Sequence, residues 1–92
     1  MAAMPAITVK KLDELTFEVT VQNVTLTTHV VSVPSAYAQK LTSGRISAAE
    51  LVQRSFEFLL EREPNTSILR RFDLPVIANY FPEYEQAINK ML

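Results

Sequence analysis

The stretch Ser47-Ala-Ala-Glu-Leu-Val-Gln-Arg-Ser-Phe-Glu-Phe-Leu-Leu-Glu-Arg-Glu63 predicts the longest helix of this chain. It opens with the pattern of a capping box, in which the Ser47 hydroxyl accepts from the backbone N–H of Glu50 and the Glu50 carboxylate reaches back. Pro64 follows the stretch and ends the helix, because proline has no backbone N–H to continue the ladder. We therefore expect one long helix at about residues 47–63.

The apolar side of this helix is unusually wide. Its charged and amide side chains fall within roughly 100° of the helical wheel, whereas its apolar side chains spread over roughly 200°. An ordinary surface helix needs about half that width to face one core. We therefore expect the helix to be covered on two sides, with a second copy of the chain forming a homodimer over Val52, Phe56, Leu59 and Leu60.

The region before the helix has the pattern of β-structure. From Leu15 to Val21 apolar and polar side chains alternate strictly, which is typical of a strand with one dry face. The run Val24–Val33 is rich in Val and Thr, but its phase changes, which indicates either a bulge near Thr28–Val30 or a loop longer than Gln22-Asn23. We expect an antiparallel β-hairpin over residues 7–33, with residues 1–6 as a frayed start.

The rest of the chain has helical spacing broken by prolines. A short helix is expected after Pro34, with Gly44 as its left-handed C-cap. After Pro64 we expect a helical turn through Ser67–Phe72, a second segment to Tyr80, and a last helix that starts near Pro82. The predicted fold is a single α+β domain, residues 1–92, in which an antiparallel β-hairpin precedes three to five helices within residues 35–92.

The composition excludes several kinds of chemistry. The 92 residues include no cysteine, one glycine and one histidine, so thiolate zinc sites, thiol nucleophiles and glycine-rich phosphate loops are ruled out. His29 has no neighbouring nucleophile or acid in the sequence, and we expect it to be half-buried and bonded to a cross-strand threonine. We therefore expect no enzyme activity, no cofactor and no metal site.

The predicted location follows from apolar runs and charge. No apolar run reaches the ~18 residues that span a bilayer. The first residues lack the basic region of a secretory signal. We expect a cytoplasmic protein that does not bind membranes.

The aromatic residues near the C-terminus allow two interpretations. Phe72, Tyr80, Phe81 and Tyr84 either pack the tail onto the long helix or present an aromatic surface to a partner. Two prolines in this segment favour some exposure, because one straight helix cannot bury all of it. The candidate interaction residues are therefore Val52, Phe56, Leu59, Leu60, Tyr80, Phe81 and Tyr84.

The order of elements in residues 28–63 resembles the ribbon-helix-helix arrangement of small bacterial repressors and antitoxins. A β-run ends in Val33-Pro34, and a short helix, Ser43-Gly44 and a capped long helix follow. The resemblance implies a dimer that reads DNA with a two-stranded ribbon. The positions carried over are Thr28, Val30 and Ser32 for the ribbon, with Arg45 and Ser47 for phosphate.

The second half is also similar to a family of small, uncharacterised bacterial proteins. The motifs are Ser55-Phe-Glu-Phe-Leu-Leu-Glu-Arg-Glu-Pro-Asn65, Phe72-Asp-Leu74 and Tyr80-Phe-Pro-Glu-Tyr84. This similarity implies no activity. A net charge of −1 and a sequence pI near 5.8 disfavour a nucleic-acid partner. We therefore expect a non-enzymatic interaction or regulatory module, and keep the ribbon-helix-helix DNA-binding regulator as the alternative.

Overall fold

The computed structural model describes residues 6–91. The described chain forms four strands, four α-helices and a single 3-10 turn at Asn65–Ser67. The strands are β1 (Ala6–Asp13), β2 (Thr16–Gln22), β3 (Leu26–Ser32) and β4 (Arg71–Asp73). The helices are α1 (Ser35–Thr42), α2 (Ala48–Leu60), α3 (Val76–Tyr80) and α4 (Tyr84–Met91). The α+β class is confirmed.

The four strands form one sheet in the order β1-β2-β3-β4. The first three strands are a meander of antiparallel neighbours, whereas β4 lies parallel to β3. The long connection through α1 and α2 allows that parallel pairing, because parallel neighbours need a crossover. The predicted hairpin is therefore extended by a strand on each side, and residues 1–5 of the predicted frayed start lie outside the described residues while Ala6 begins β1.

One face of the sheet carries the core. Phe17, Val19 and Val21 of β2 are buried, and the side chains between them are only half-buried. The helices pack on this inner face, and the opposite face has no covering element within residues 6–91. The alternation predicted for Leu15–Val21 is thus confirmed from Thr16 onward, whereas Leu15, predicted on the dry face, lies in the preceding turn and is 47% exposed.

The change of phase in the second β-run comes from polar residues on the inner face. The pairing of β2 with β3 is regular from Leu26 to Ser32, with Val19 opposite His29, so the strand has no bulge. The loop at residues 23–25 has three residues, which is the longer loop that the sequence left open. Thr27 and His29 point inward and are buried, which makes the apolar pattern look interrupted.

The capped start of α2 is confirmed. The Ser47 hydroxyl accepts from the backbone N–H of Glu50 at 3.1 Å. The helix ends at Leu60, three residues before the predicted end, and residues 61–63 form a turn.

The wide apolar side of α2 is covered by this chain itself. Phe56 packs against His29 of β3, with ring centroids 5.3 Å apart, and Phe58 packs against Tyr84 of α4, also at 5.3 Å. We expected this helix to be covered on two sides, one of them by a second copy. The sheet and α4 of the same chain provide both covers. The width of the apolar side therefore gives no reason to invoke a second copy.

The short helix α1 ends in two left-handed residues. Ser43 has φ 54° and Gly44 has φ +73°. Gly44 thus has the conformational role that the sequence predicted, and Ser43 occupies the cap position directly before it.

The segment after Asn65 differs from the prediction. Residues 71–73 form β4 rather than a helical turn, and the backbone N–H of Val30 donates to the carbonyl of Arg70 at 2.8 Å. The N–H of Leu74 donates to the carbonyl of Ser32 at the same distance. Pairing with β3 therefore overrides the local helical preference.

Candidate functional site

An apolar groove lies where α2 ends, beside β4 and α3. Its volume is about 170 Å³. Three segments supply its walls: the last turns of α2, the chain that leads into β4, and α3. The lining residues are Leu59, Glu63, Ser67, Ile68, Leu69, Phe72, Val76, Ile77, Tyr80 and Phe81.

The proline at position 82 shapes one wall. Phe81 precedes Pro82 and has an extended backbone, φ −130° and ψ 89°, because a residue before proline is disfavoured in the helical region. The α3 helix therefore stops at Tyr80. The Phe81 ring turns onto Phe58 edge to face, with centroids 5.9 Å apart, whereas Tyr80 stays 67% exposed.

The opposite wall is the chain between the 3-10 turn and β4. Ile68 and Phe72 of this wall are buried, and the Leu69 side chain between them is 48% exposed. Leu69 and Tyr80 therefore leave exposed apolar surface on either side of the groove.

A hydrogen bond from His29 joins this wall to the sheet. Its Nδ1 lies 2.8 Å from the Leu69 carbonyl oxygen, and its Nε2 lies 2.9 Å from the Thr27 hydroxyl. The Asn65 amide nitrogen donates to the Thr25 carbonyl and to the Thr27 hydroxyl, at 2.8 and 2.7 Å. Thr27 therefore has its own hydrogen left to donate to Nε2.

This network fixes the protonation state of the imidazole. Because Nε2 accepts from Thr27, the hydrogen of a neutral ring lies on Nδ1 and is donated to Leu69. Burial lowers the pKa of His29 below its ordinary value, the Leu69 carbonyl acts in the opposite direction, and the charge of Arg70 lowers it further. The side chain is fully buried and its hydrogen-bond partners are a hydroxyl and a carbonyl. The predicted bond to a threonine exists, but Thr27 lies on the same strand.

Few charged side chains lie at the groove. Among the described lining residues, Glu63 is the one carboxylate and none is basic. Arg70, which follows a lining leucine, is exposed. The neighbouring Arg62 is occupied elsewhere, because its Nε donates to Glu83 at 3.2 Å and its guanidinium lies 3.6 Å from the Phe58 ring centroid. The groove is thus apolar, with one carboxylate in its described lining.

The size of the groove limits what it can hold. A cavity of about 150 Å³ holds benzene, whereas drug-sized ligands and cofactors occupy pockets of roughly 300–1,000 Å³. At about 170 Å³ the groove suits one large apolar side chain.

The structure separates the predicted interaction residues into three groups. Val52, Phe56 and Tyr84 are fully buried in the core and are not exposed to a partner. Leu60 is half-buried. Leu59, Tyr80 and Phe81 line the groove.

Several groove residues are not predicted by the sequence. Ile68, Leu69 and Val76 lie in the segment whose spacing predicts helical structure. The sequence does contain one signal of a strand here. Polar and apolar residues alternate strictly from Arg71 to Leu74, and in the structure they are alternately exposed and buried.

The residues carried over from the ribbon-helix-helix resemblance lie in different layers. Thr28, Val30 and Ser32 are on the outer face of β3, while Arg45 and Ser47 belong to the helical layer. In this chain β3 is paired on both sides, by β2 and by β4. A ribbon with a second chain would need one of those edges.

Two other kinds of site are absent from residues 6–91. No group of three or more His, Cys, Asp or Glu side chains there is placed to hold a metal ion. None of the helices in this part of the chain has the length and apolar character that crossing a membrane requires.

No family model, no curated protein and no solved structure matches this chain.

Proposed function

We propose that this protein is a non-enzymatic interaction module that binds a partner protein through the groove between α2, β4 and α3. The occupant is one large apolar side chain, aromatic or branched, on a partner segment that carries a neighbouring Lys or Arg. The observation that carries this proposal is an apolar groove of about 170 Å³ in which Glu63 is the one carboxylate among the described lining residues.

The exposed apolar area supports a docking role. Leu69 and Tyr80 stand at the groove and remain 48% and 67% exposed. Covering such side chains releases about 25 cal/mol per Å² of apolar surface. Tyrosine is also enriched among the residues that dominate interface energies.

The rigidity of the walls supports the same role. The Leu69 backbone is held by His29, and Phe81 is held by Phe58 and by the restriction that Pro82 imposes. A groove that is formed before binding loses little conformational entropy when it is filled.

Charge complementarity defines the rest of the occupant. Glu63 is half-buried at the groove, so a cation there meets a carboxylate that is partly shielded from water. An acidic segment would be repelled by the same group.

Three blocked dipeptides test this proposal: acetyl-Phe-Lys-amide, acetyl-Phe-Glu-amide and acetyl-Ala-Lys-amide. They are titrated into the isotope-labelled protein and followed by amide chemical shifts. We expect saturable shifts at Leu69, Tyr80 and Phe81 with the first peptide, in the millimolar range, and weaker binding of the other two.

Matched variants localise the binding. Leu69→Ser should weaken binding of acetyl-Phe-Lys-amide at least about fivefold, because it removes apolar contact. Val24→Ser, which alters a side chain that is 99% exposed in the loop before β3, should leave binding unchanged. Equal effects of both substitutions, or equal binding of the three peptides, would overturn the proposal.

A further inference from the structure

The strand β1 forms an open edge of the sheet. It has β2 on one side and no strand on the other within residues 6–91. Its eight residues contain no proline. The backbone groups that point away from β2 are therefore available for pairing with another strand.

A second groove runs along this edge, between β1 and α2. It is lined by Val9, Ala49, Glu50, Gln53, Arg54 and Glu57. Arg54 lies between the two carboxylates, 3.6 Å from Glu50 and 3.7 Å from Glu57. Two carboxylates share one guanidinium, so this side of α2 carries excess negative charge.

The strand β1 itself carries two cations. Lys10 belongs to the outer face, where it is opposite Glu18 of β2. Lys11 belongs to the inner face, opposite Phe17, and forms no ion pair among the described residues. Lysine on an open edge commonly discourages pairing with another strand. Whether a lysine opposes or assists association of two copies depends on the residues that the register places opposite it.

Among the registers of a self-paired β1 that keep like charges apart, an axis at Val9 pairs the longest part of the strand. In an antiparallel pair related by a two-fold axis, residues opposite each other have the same orientation relative to the sheet. An axis at Lys10 would place two lysines opposite each other. An axis at Val9 places Val9 opposite its own copy, Thr8 opposite Lys10, and Ile7 opposite Lys11.

We infer that β1 pairs with β1 of a second copy about a two-fold axis at Val9, so that Lys11 of each copy meets the Glu50 and Glu57 side of α2 in the other. About this axis, the inner faces of the two sheets lie on the same side. Lys11 of one copy is therefore on the side where α2 of the other copy lies over its own β1. The contact occurs twice in one dimer, because a two-fold interface repeats every pair. A net charge of −1 per chain adds little repulsion between copies.

This inference is independent of the proposed function. The groove that takes a partner side chain lies beside β4, at the other edge of the sheet. Either surface can fail its test without affecting the other.

Charge reversal tests the pairing. The mass of the wild-type chain in solution, measured by light scattering, should approach twice 10.4 kDa as concentration rises. Lys11→Glu alone, and the double variant Glu50→Lys/Glu57→Lys alone, should each raise the dimer dissociation constant about tenfold or more. The two variants mixed should form a heterodimer, because the introduced glutamate of one copy then faces the two introduced lysines of the other. The unchanged Lys11 of the double variant faces Glu50 and Glu57 of the single variant in the same heterodimer.

The control is Lys40→Glu, which reverses an exposed lysine on α1 and should leave association unchanged. Circular dichroism checks that every variant is folded. A wild-type chain that stays at 10.4 kDa at high concentration, or a mixture that associates no better than its components, would overturn the inference.

A crosslink tests the register. The chain has no cysteine, so Val9→Cys introduces the one thiol of the protein. Directly opposite residues in an antiparallel pair have Cβ atoms about 4.5–5.5 Å apart, so a disulfide between the two copies needs only a small adjustment. Val9→Cys should oxidise to a linked dimer faster than Val24→Cys, and equal rates would contradict an axis at Val9.

Discussion

The Nδ1 atom of His29 lies 2.8 Å from the carbonyl oxygen of Leu69, a residue 40 positions further along the chain. This hydrogen bond joins the central strand β3 to the segment whose Leu69 side chain forms one wall of the groove. The only histidine of the chain thus positions one wall of this groove, and it does so as a neutral ring.

The His29 network predicts a pH dependence of stability. Because the pKa of His29 is lower in the folded chain than in the unfolded chain, the unfolded state binds a proton first as the pH falls below about 6.5. The free energy of unfolding should therefore be lower near pH 5.5 than near pH 7.5. Urea unfolding at both pH values measures the difference.

The matched variant for this prediction is His29→Gln. It should lose about 1–3 kcal/mol at the higher pH, because buried polar groups lose partners. In this variant the free energy of unfolding should also lose most of its dependence on pH, at pH values above those at which carboxylates titrate. A variant that keeps the full pH dependence would show that His29 is not its source.

The hydroxyl pair between α2 and α4 predicts an asymmetry between two substitutions. Ser55 donates to the Leu51 carbonyl at 2.7 Å, so the buried Tyr84 hydroxyl donates to Ser55 at 2.6 Å. Tyr84→Phe should cost about 1 kcal/mol, whereas Ser55→Ala should cost about 1–3 kcal/mol because it leaves a buried hydroxyl without a partner. Adding Tyr84→Phe to Ser55→Ala should recover part of the loss in urea unfolding. An additive double variant would contradict the pairing.

The burial of Phe56 predicts that its truncation destabilises the single chain. Phe56→Ala should lower the free energy of unfolding by about 3–5 kcal/mol, a large part of the roughly 5–15 kcal/mol of a small domain. The half-exposed Leu69 provides the control, since Leu69→Ala should cost about 1 kcal/mol or less. The loss for Phe56→Ala should be the same at low and high protein concentration. A loss that grows with concentration would instead place Phe56 at an interface between copies.

The two helix starts predict different responses to loss of a serine hydroxyl. Ser47 caps α2 through the N–H of Glu50, while no side chain caps α1 at Pro34 and Ser35. Ser47→Ala should therefore cost about 1 kcal/mol in thermal or urea unfolding, and Ser35→Ala should cost close to nothing. Equal losses would show that the capping bond does not stabilise α2.

The elements with a strong local signal could be predicted from the sequence. The alternation in β2, the Ser47 cap of α2 and the left-handed Gly44 each depend on neighbouring residues. The α+β class follows from them. Local sequence patterns determine the secondary structure of a segment when no pairing with a distant segment favours a different one.

The elements that depend on distant pairing could not be predicted. β4 has only three residues and becomes a strand because β3 offers it an edge. Thr27 and His29 point inward, so the inner face of β3 does not have an apolar pattern in the sequence. Their hydrogen-bond partners Asn65 and Leu69 lie about 40 residues away, where no local pattern reveals them. The same limit applies to the site: Tyr80 and Phe81 could be identified as aromatics, but the opposite wall required the fold.

The most direct test of the proposed binding is an isotope-filtered measurement of nuclear Overhauser effects between unlabelled acetyl-Phe-Lys-amide and the labelled protein. We predict contacts from the peptide's phenyl ring to the side chains of Leu69, Val76, Tyr80 and Phe81, which line the groove. Contacts to the exposed Val24 and Leu26 instead, or no contact at peptide saturation, would contradict it.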